Sequence, residues 1–344
     1  MPRNIFYTIT LFLLISSLIS LSCPGSEDTI APQQTGGIVE KYGRLQVAGN
    51  RIVDQRGNEF SVHGMSLFWS QWIPQYYNRD CIQWLRDDWK CTVVRAAMAV
   101  DYGGYLEYPQ QEMMKVMQVI DACIELGIYV IVDWHDHEAE KHLDQAKLFF
   151  KSIANKYGQY PNLIYEIYNE PLQVSWPDVV KPYAEAVIGE IRKIDPDNLI
   201  LVGSPDWSQA LDRVALDPVE DINVAYSLHF YAGSHRQELR DKAQVALDSG
   251  LAVFVNEWGL SEASGDGTLG YAEASLWMQF MDSNRISWCN WSVGDRDESS
   301  AALNPGTDPA GNWEDLDLTP SGLYVREAIR ERNTGLFKTP ASRQ

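Results

Sequence analysis

Two glutamates stand out for the company they keep. Glu170 lies in Asn169-Glu170-Pro171, and Glu257 in Asn256-Glu257-Trp258-Gly259. Each closes a short apolar run, and Pro171 stops the first run from continuing as a paired strand. Glycosidic cleavage uses such a pair: one carboxyl protonates the leaving oxygen, while the other attacks the sugar or activates water. Another run ends near Arg95, and others end in Asp133-Trp134-His135, in His229-Phe230-Tyr231 and in Asn290-Trp291-Ser292. A lone glutamate at such a place is usually a helix cap or a solvated loop charge. Two of them, joined by two histidines, an arginine, a tyrosine and a tryptophan, form a set that a purely structural protein has no reason to desolvate together.

Such residues need a scaffold that gathers strand ends. The runs are Phe60–Met65, Thr92–Met98, Tyr129–Trp134, Leu163–Tyr168, Leu199–Gly203, Val224–Phe230, Ala252–Val255 and Ile286–Trp291. Helical periodicity separates most of them, over Asp80–Trp89, Gln110–Leu126, Gln145–Tyr157, Pro177–Ile194, Ser234–Leu247 and Tyr271–Asn284. Near-continuous apolar strands alternating with helices predict a parallel sheet covered by helices. Eight units fit a single α/β domain closed as a (β/α)8 TIM barrel better than an open doubly wound sheet. Gly64-Met65-Ser66 is not the glycine-rich phosphate loop of a dinucleotide-binding fold. In a barrel of this kind the reactive groups collect at the C-terminal strand ends, which is where the residues above fall.

Charge and chain ends narrow the reading further. A formal net charge of -19 repels phosphate backbones and anionic bilayers, so nucleic-acid binding and membrane insertion of the catalytic domain are not expected. A basic start, an apolar stretch from Ile5 to Leu21 and a small-residue exit predict a secretory signal over 1–22. Cys23 is a possible lipidation point, so the expectation is a secreted protein or a lipoprotein held at the cell surface or periplasm. Residues 23–37 read as a flexible linker, 38–332 as the barrel and 333–344 as a disordered tail. Cys81, Cys91, Cys123 and Cys289 show no metal-ligand spacing. A Cys81–Cys91 bridge is possible in an oxidising compartment, though scattered buried thiols are the plainer reading. No metal or other cofactor is expected, and the chain is expected to act as a monomer.

The chain from about residue 40 to 332 resembles glycoside hydrolase family 5, in particular its bacterial endo-β-1,4-glucanases. The likeness rests on Trp84–Trp89, Val94–Met98, Tyr129–His135, LIYEIYNEP (163–171), LHFYAGSH (228–235), FVNEWG (254–259) and DESSAAL (297–303), in that order. It implies retaining, endo-acting hydrolysis of β-1,4-glucan, with Glu170 as acid/base and Glu257 as nucleophile. The substrate would be a β-glucan polysaccharide or cello-oligosaccharide. It further implies that Asn169 bonds the sugar 2-hydroxyl, and that Arg95 and Tyr231 support the carboxylate of Glu257. His135 and His229 would orient the two glutamates, Trp291 would floor the central subsite, and Trp72 and Trp207 would stack on sugars to either side. Phe68 and Arg296 stand where relatives often carry histidine and lysine, so substrate preference could differ; Arg296 is retained as a sugar contact. Mannanase, xyloglucanase and mixed-linkage glucanase activities, or a non-catalytic carbohydrate-binding barrel, are the competing readings. Arg95 could instead pair with an interior acid such as Glu166. Trp84, Trp89 and Trp277 read as core, Asp133 as an interior support and His63 as structural.

Overall fold

The computed structural model describes residues 37–337, so the signal, Cys23 and most of the linker lie outside the described residues, as do the last seven. Eight parallel strands close into a barrel: β1 His63–Leu67, β2 Val93–Ala99, β3 Tyr129–His135, β4 Leu163–Glu166, β5 Ile200–Val202, β6 Val224–Tyr231, β7 Val253–Gly259 and β8 Ser287–Val293. Sequence neighbours pair around the ring, and β8 returns to β1 with Trp288 opposite His63 and Trp291 opposite Ser66. Every barrel-strand residue is buried, which explains why the runs are largely apolar instead of alternating.

Helices cover the outside. The one spanning Pro109–Leu126 buries Val116, Ile120, Cys123 and Leu126, each three or four positions from the next. It ends on Gly127, whose φ of 68° lets the chain turn directly into β3. A Cβ there would lie 2.7 Å from the Cα of Gly37, so only glycine fits. The predicted helix Pro177–Ile194 begins later, at Lys181–Arg192, because a wide turn over Trp176–Val180 precedes it. No helix among the described residues is long and apolar enough to cross a membrane.

The N-terminal end of the barrel differs from expectation in two ways. Phe60 does not join β1; it pairs with a two-stranded hairpin (Gln46–Ala48 and Arg51–Val53) through Ile52 and stacks on Tyr42 with ring centroids 3.8 Å apart. Nor does a tail begin at 333. Asn333 is fully buried: its amide donates to the carbonyls of His63 and Lys90, and its Oδ1 lies 2.9 Å from His63 Nδ1. A further turn, Thr334–Phe337, follows. A polar side chain that caps the barrel floor could not be read from composition, since the tail looks unremarkable until its partner is known. Cys81, Cys91, Cys123 and Cys289 are free and buried.

Candidate active site

Three interruptions in the strand ladders flank the residues of interest, between Ser227 and His229 on β6, between Val255 and Trp258 where β7 meets β8, and between Trp291 and Val293 on β8. Such irregularities re-aim side chains at a barrel mouth. One of them places His229 opposite Glu257 in register. The chain beyond β4 stays tied to β3 through Asn169 N to the Trp134 carbonyl (3.3 Å) and Glu170 N to the Asp136 carbonyl (3.3 Å). Gly203 makes room for it: a Cβ there would sit 2.4 Å from the Tyr168 carbonyl oxygen.

The two glutamates face each other. A carboxylate oxygen of each and a ring nitrogen of His229 lie within 4.8 Å of one another. Their surroundings differ in kind. Glu257 accepts from Arg95 Nη1 (2.9 Å) on one oxygen and from the Tyr231 hydroxyl (2.8 Å) on the other. Burial, with the nearby carboxylates, pushes the Tyr231 phenol well up, so it stays a donor. Glu170 meets two imidazoles, His229 Nδ1 at 2.9 Å and His137 Nε2 at 3.2 Å. Burial pushes the Glu170 carboxyl up, but the hydrogen bonds and charges of those rings outweigh it and hold the group below the usual carboxylate range. His137 and His229 are correspondingly raised: burial opposes their charging, and Glu170 and Glu257 more than restore it.

Arg95 is the hub beneath. Fully buried, it pairs with Glu166 through Nε (2.8 Å) and Nη2 (2.7 Å), with Asp133 (2.9 Å) and with Glu257 (2.9 Å), and donates to Asn169 Oδ1 (2.7 Å). The alternative posed by the sequence, Glu166 or Glu257, is resolved as both. One cation against three buried carboxylates leaves surplus negative charge. Burial accordingly pushes the Asp133 carboxyl up to about 7, with Glu257 adding to the rise and Arg95 opposing it, and Glu166 is raised as well. Asp133 also holds His135 through Nδ1 at 2.7 Å, while burial and then Arg95 push His135 down to about 3, so His135 is a neutral ring.

Aromatic side chains wall a cleft of about 300 Å³ over this centre. His135 stacks on Trp291 (5.2 Å, 3°) and meets Trp69 edge-on (4.2 Å). Phe68 links Trp291 (5.1 Å) to Trp72 (6.0 Å), and the Arg296 guanidinium lies over both Phe68 (5.0 Å) and Trp72 (5.8 Å). The two positions marked as departures in the sequence therefore pack on each other as a cation–π stack. Trp72 is 47% exposed and free to meet a ligand.

Of the residues picked from sequence, Glu170, Glu257, Arg95, His135, Asn169, His229, Tyr231 and Trp291 converge, with Trp72 and Arg296 at one edge of the cleft. Trp207 does not line that cleft. It projects from a left-handed turn at Asp206, Trp207 and Ser208, pinned to the segment behind Glu170 by Trp207 N to the Pro171 carbonyl (2.9 Å) and Ser208 Oγ to the Asn169 carbonyl (2.8 Å). Left-handed backbone costs about 1–2 kcal/mol per residue, so this presentation of an exposed tryptophan is maintained against strain. Sequence reasoning missed His137 and Trp69. No strand or helix period reports His137, which sits at a bend two residues beyond the end of β3.

The model of the family described as cellulase (glycosyl hydrolase family 5) matches residues 53–297. The chain belongs to that family. It is 48% identical over 301 residues to endoglucanase A of Evansella cellulosilytica, covering 86% of this chain and 62% of that protein. The chain thus spans about three-fifths to two-thirds of the length of this and two further endoglucanases that it matches. A solved structure from Cytophaga hutchinsonii shares 54% identity and a TM-score of 0.87, covering 88% of this chain and 99% of that one. A variant of the Thermobifida fusca endoglucanase catalytic domain, solved in complex with cellotetraose, shares 35% identity and a TM-score of 0.82, covering 86% and 100% respectively. Family and barrel are thereby established together.

Proposed function

We propose that this glycosyl hydrolase family 5 chain cuts β-1,4-glucosidic bonds inside glucan chains with retention of configuration. The observation that carries the reading is the approach of Glu170 and Glu257 to within 4.8 Å across the barrel mouth. Retaining enzymes hold their carboxyl groups about 5–5.5 Å apart, whereas inverting enzymes leave about 6.5–9.5 Å for a water.

The surroundings support distinct roles. Glu257, with a donor on each oxygen, attacks the anomeric carbon as the bond to the leaving sugar breaks. Glu170 passes its proton to that departing oxygen, then takes one from the water that releases the glycosyl group. Asn169 spends its carbonyl on Arg95, so its amide N–H groups remain for a sugar hydroxyl, a contact that strengthens as the ring flattens. Trp291 and Trp72 supply apolar faces for pyranose rings, and the relative bound to cellotetraose supports glucan over other polysaccharides. The basic, apolar N-terminal stretch supports export, with Cys23 as a possible anchor, and we take the working unit to be the monomer.

Sugar release from carboxymethylcellulose, barley glucan and glucomannan tests the substrate class, the expected order being β-glucans first. Glu257→Ala is expected to lower kcat on carboxymethylcellulose by about 10⁴-fold or more while oligosaccharide binding persists by calorimetry. A fully active variant would remove Glu257 from the chemistry, and no release from any β-glucan by the unaltered protein would end the reading.

A further inference from the structure

The mechanism asks Glu170 to deliver a proton, yet in the free site its two imidazole neighbours favour the carboxylate. The proton must therefore be kept nearby and returned on demand. The two rings are not equivalent stores. His229 is 1% exposed and wedged between Glu170 and Glu257 (4.0 Å), and its Nε2 has no partner among the described residues. Charging it would bury an N–H with no acceptor, which costs about 1–3 kcal/mol. His137 has a side chain 35% exposed, so it can trade protons with water while its Nε2 stays on Glu170.

Its position is built and not incidental. Asp136 clamps the loop, accepting from His142 Nδ1 (2.7 Å), Trp134 Nε1 (3.3 Å) and Glu138 N (2.9 Å). The Tyr168 hydroxyl holds the His137 carbonyl (3.1 Å), and the Trp69 ring lies across the imidazole at 5.7 Å. The charged and titratable groups facing it are Glu170 from the end of β4, Glu257 from β7, Asp136 on its own loop, and His135 at 6.4 Å on β3.

We propose that His137 is a positioning residue for the acid/base, holding at Nε2 the proton that Glu170 gives to the leaving group. The inference rests on the reading of Glu170 given above. As the glycosidic oxygen approaches, the proton moves from His137 Nε2 to Glu170 and on to that oxygen, and the anomeric bond breaks towards Glu257. When water attacks the glycosyl group, Glu170 accepts its proton and His137 is recharged from it. One proton leaves with the released hydroxyl and one enters from water.

His137→Gln keeps a donor to Glu170 but cannot store a proton. It is expected to move the basic limb of kcat/KM for cellotetraose down by about one pH unit, a loss of about tenfold on that limb, with KM changed less than about twofold. The loss should be smaller for 2,4-dinitrophenyl cellobioside, whose leaving group needs little protonation. A basic limb that stays where it was, in a variant with unaltered thermal unfolding, overturns the proposal. In a second arm, the titration of His137 is followed by NMR in the full chain and in Glu170→Gln. Loss of the carboxylate is expected to lower its midpoint, and an unmoved midpoint overturns the proposal even where His137→Gln does not fold. A protein that cleaves no β-glucan at all overturns the functional reading instead, and the NMR arm still decides the coupling.

Discussion

At the floor of the barrel, the His63 ring packs against Trp288 (5.0 Å) and its Nδ1 bonds to the neutral amide of Asn333; burial pushes it down to about 4. At the rim, His137 and His229 are also substantially enclosed, yet both are raised, because Glu170 and Glu257 stand beside them. Burial strips a proton from an imidazole, and a neighbouring carboxylate gives it back. The same contrast holds for acids. Glu257 shares Arg95 with Asp133 and Glu166, while the floor concentrates no comparable charge among the described residues bonded to His63. One end of the barrel is built to be quiet and the other to hold an excess of titratable groups.

The sharpest way to break the contrast is to remove the rim's cation. Arg95→Met leaves three buried carboxylates without it and is expected to destabilise by about 3–5 kcal/mol, lowering Tm by about 10 °C by calorimetry. An unchanged Tm would mean that protons already neutralise the cluster. A smaller effect separates the two ends by pH. The folded value of Asp133 lies above its unfolded one, so its favourable contribution is complete below pH about 4 and is lost as pH rises through 7. The folded value of His63 lies below its unfolded one, so its contribution is complete above pH 6.5 and is lost as pH falls through 4. Asp133→Asn should therefore remove a fall in stability between pH about 4 and 7, and His63→Gln a rise over nearly the same range, each by an amount on the order of 1–2 kcal/mol in urea unfolding. Identical profiles for both variants would erase the distinction. Smallest of all, Trp72→Ala is expected to raise KM for cellotetraose about fivefold, with kcat moved less, since one aromatic contact is worth about 0.5–1.5 kcal/mol. An unchanged KM would place the sugar elsewhere.

Much of the rim was legible because barrel strands advertise themselves. The runs Leu163–Tyr168 and Val253–Val255 are apolar, Glu166 apart, until they reach Asn169-Glu170 and Asn256-Glu257, so the change of residue type marks where a strand nears the barrel mouth. His137 and Trp69 escaped notice because they lie past the strand ends, in loops with no period to report them. Asn333 escaped for a similar reason, being one polar residue in a polar stretch whose partner, His63, is 270 positions away.

By itself the amino-acid order determined the alternation of strand and helix, the eightfold repeat and the two glutamates, because near-continuous apolar runs, a period of 3.6 and a proline after a carboxylate are local properties. Only the closed barrel decided that one arginine would serve three acids, that Phe68 and Arg296 would stack, and that Glu170 would rest between two imidazoles. Those facts depend on ring closure and on ladder irregularities at the rim, which bring side chains from distant strands within bonding reach. No stretch of chain carries that distance in its own pattern.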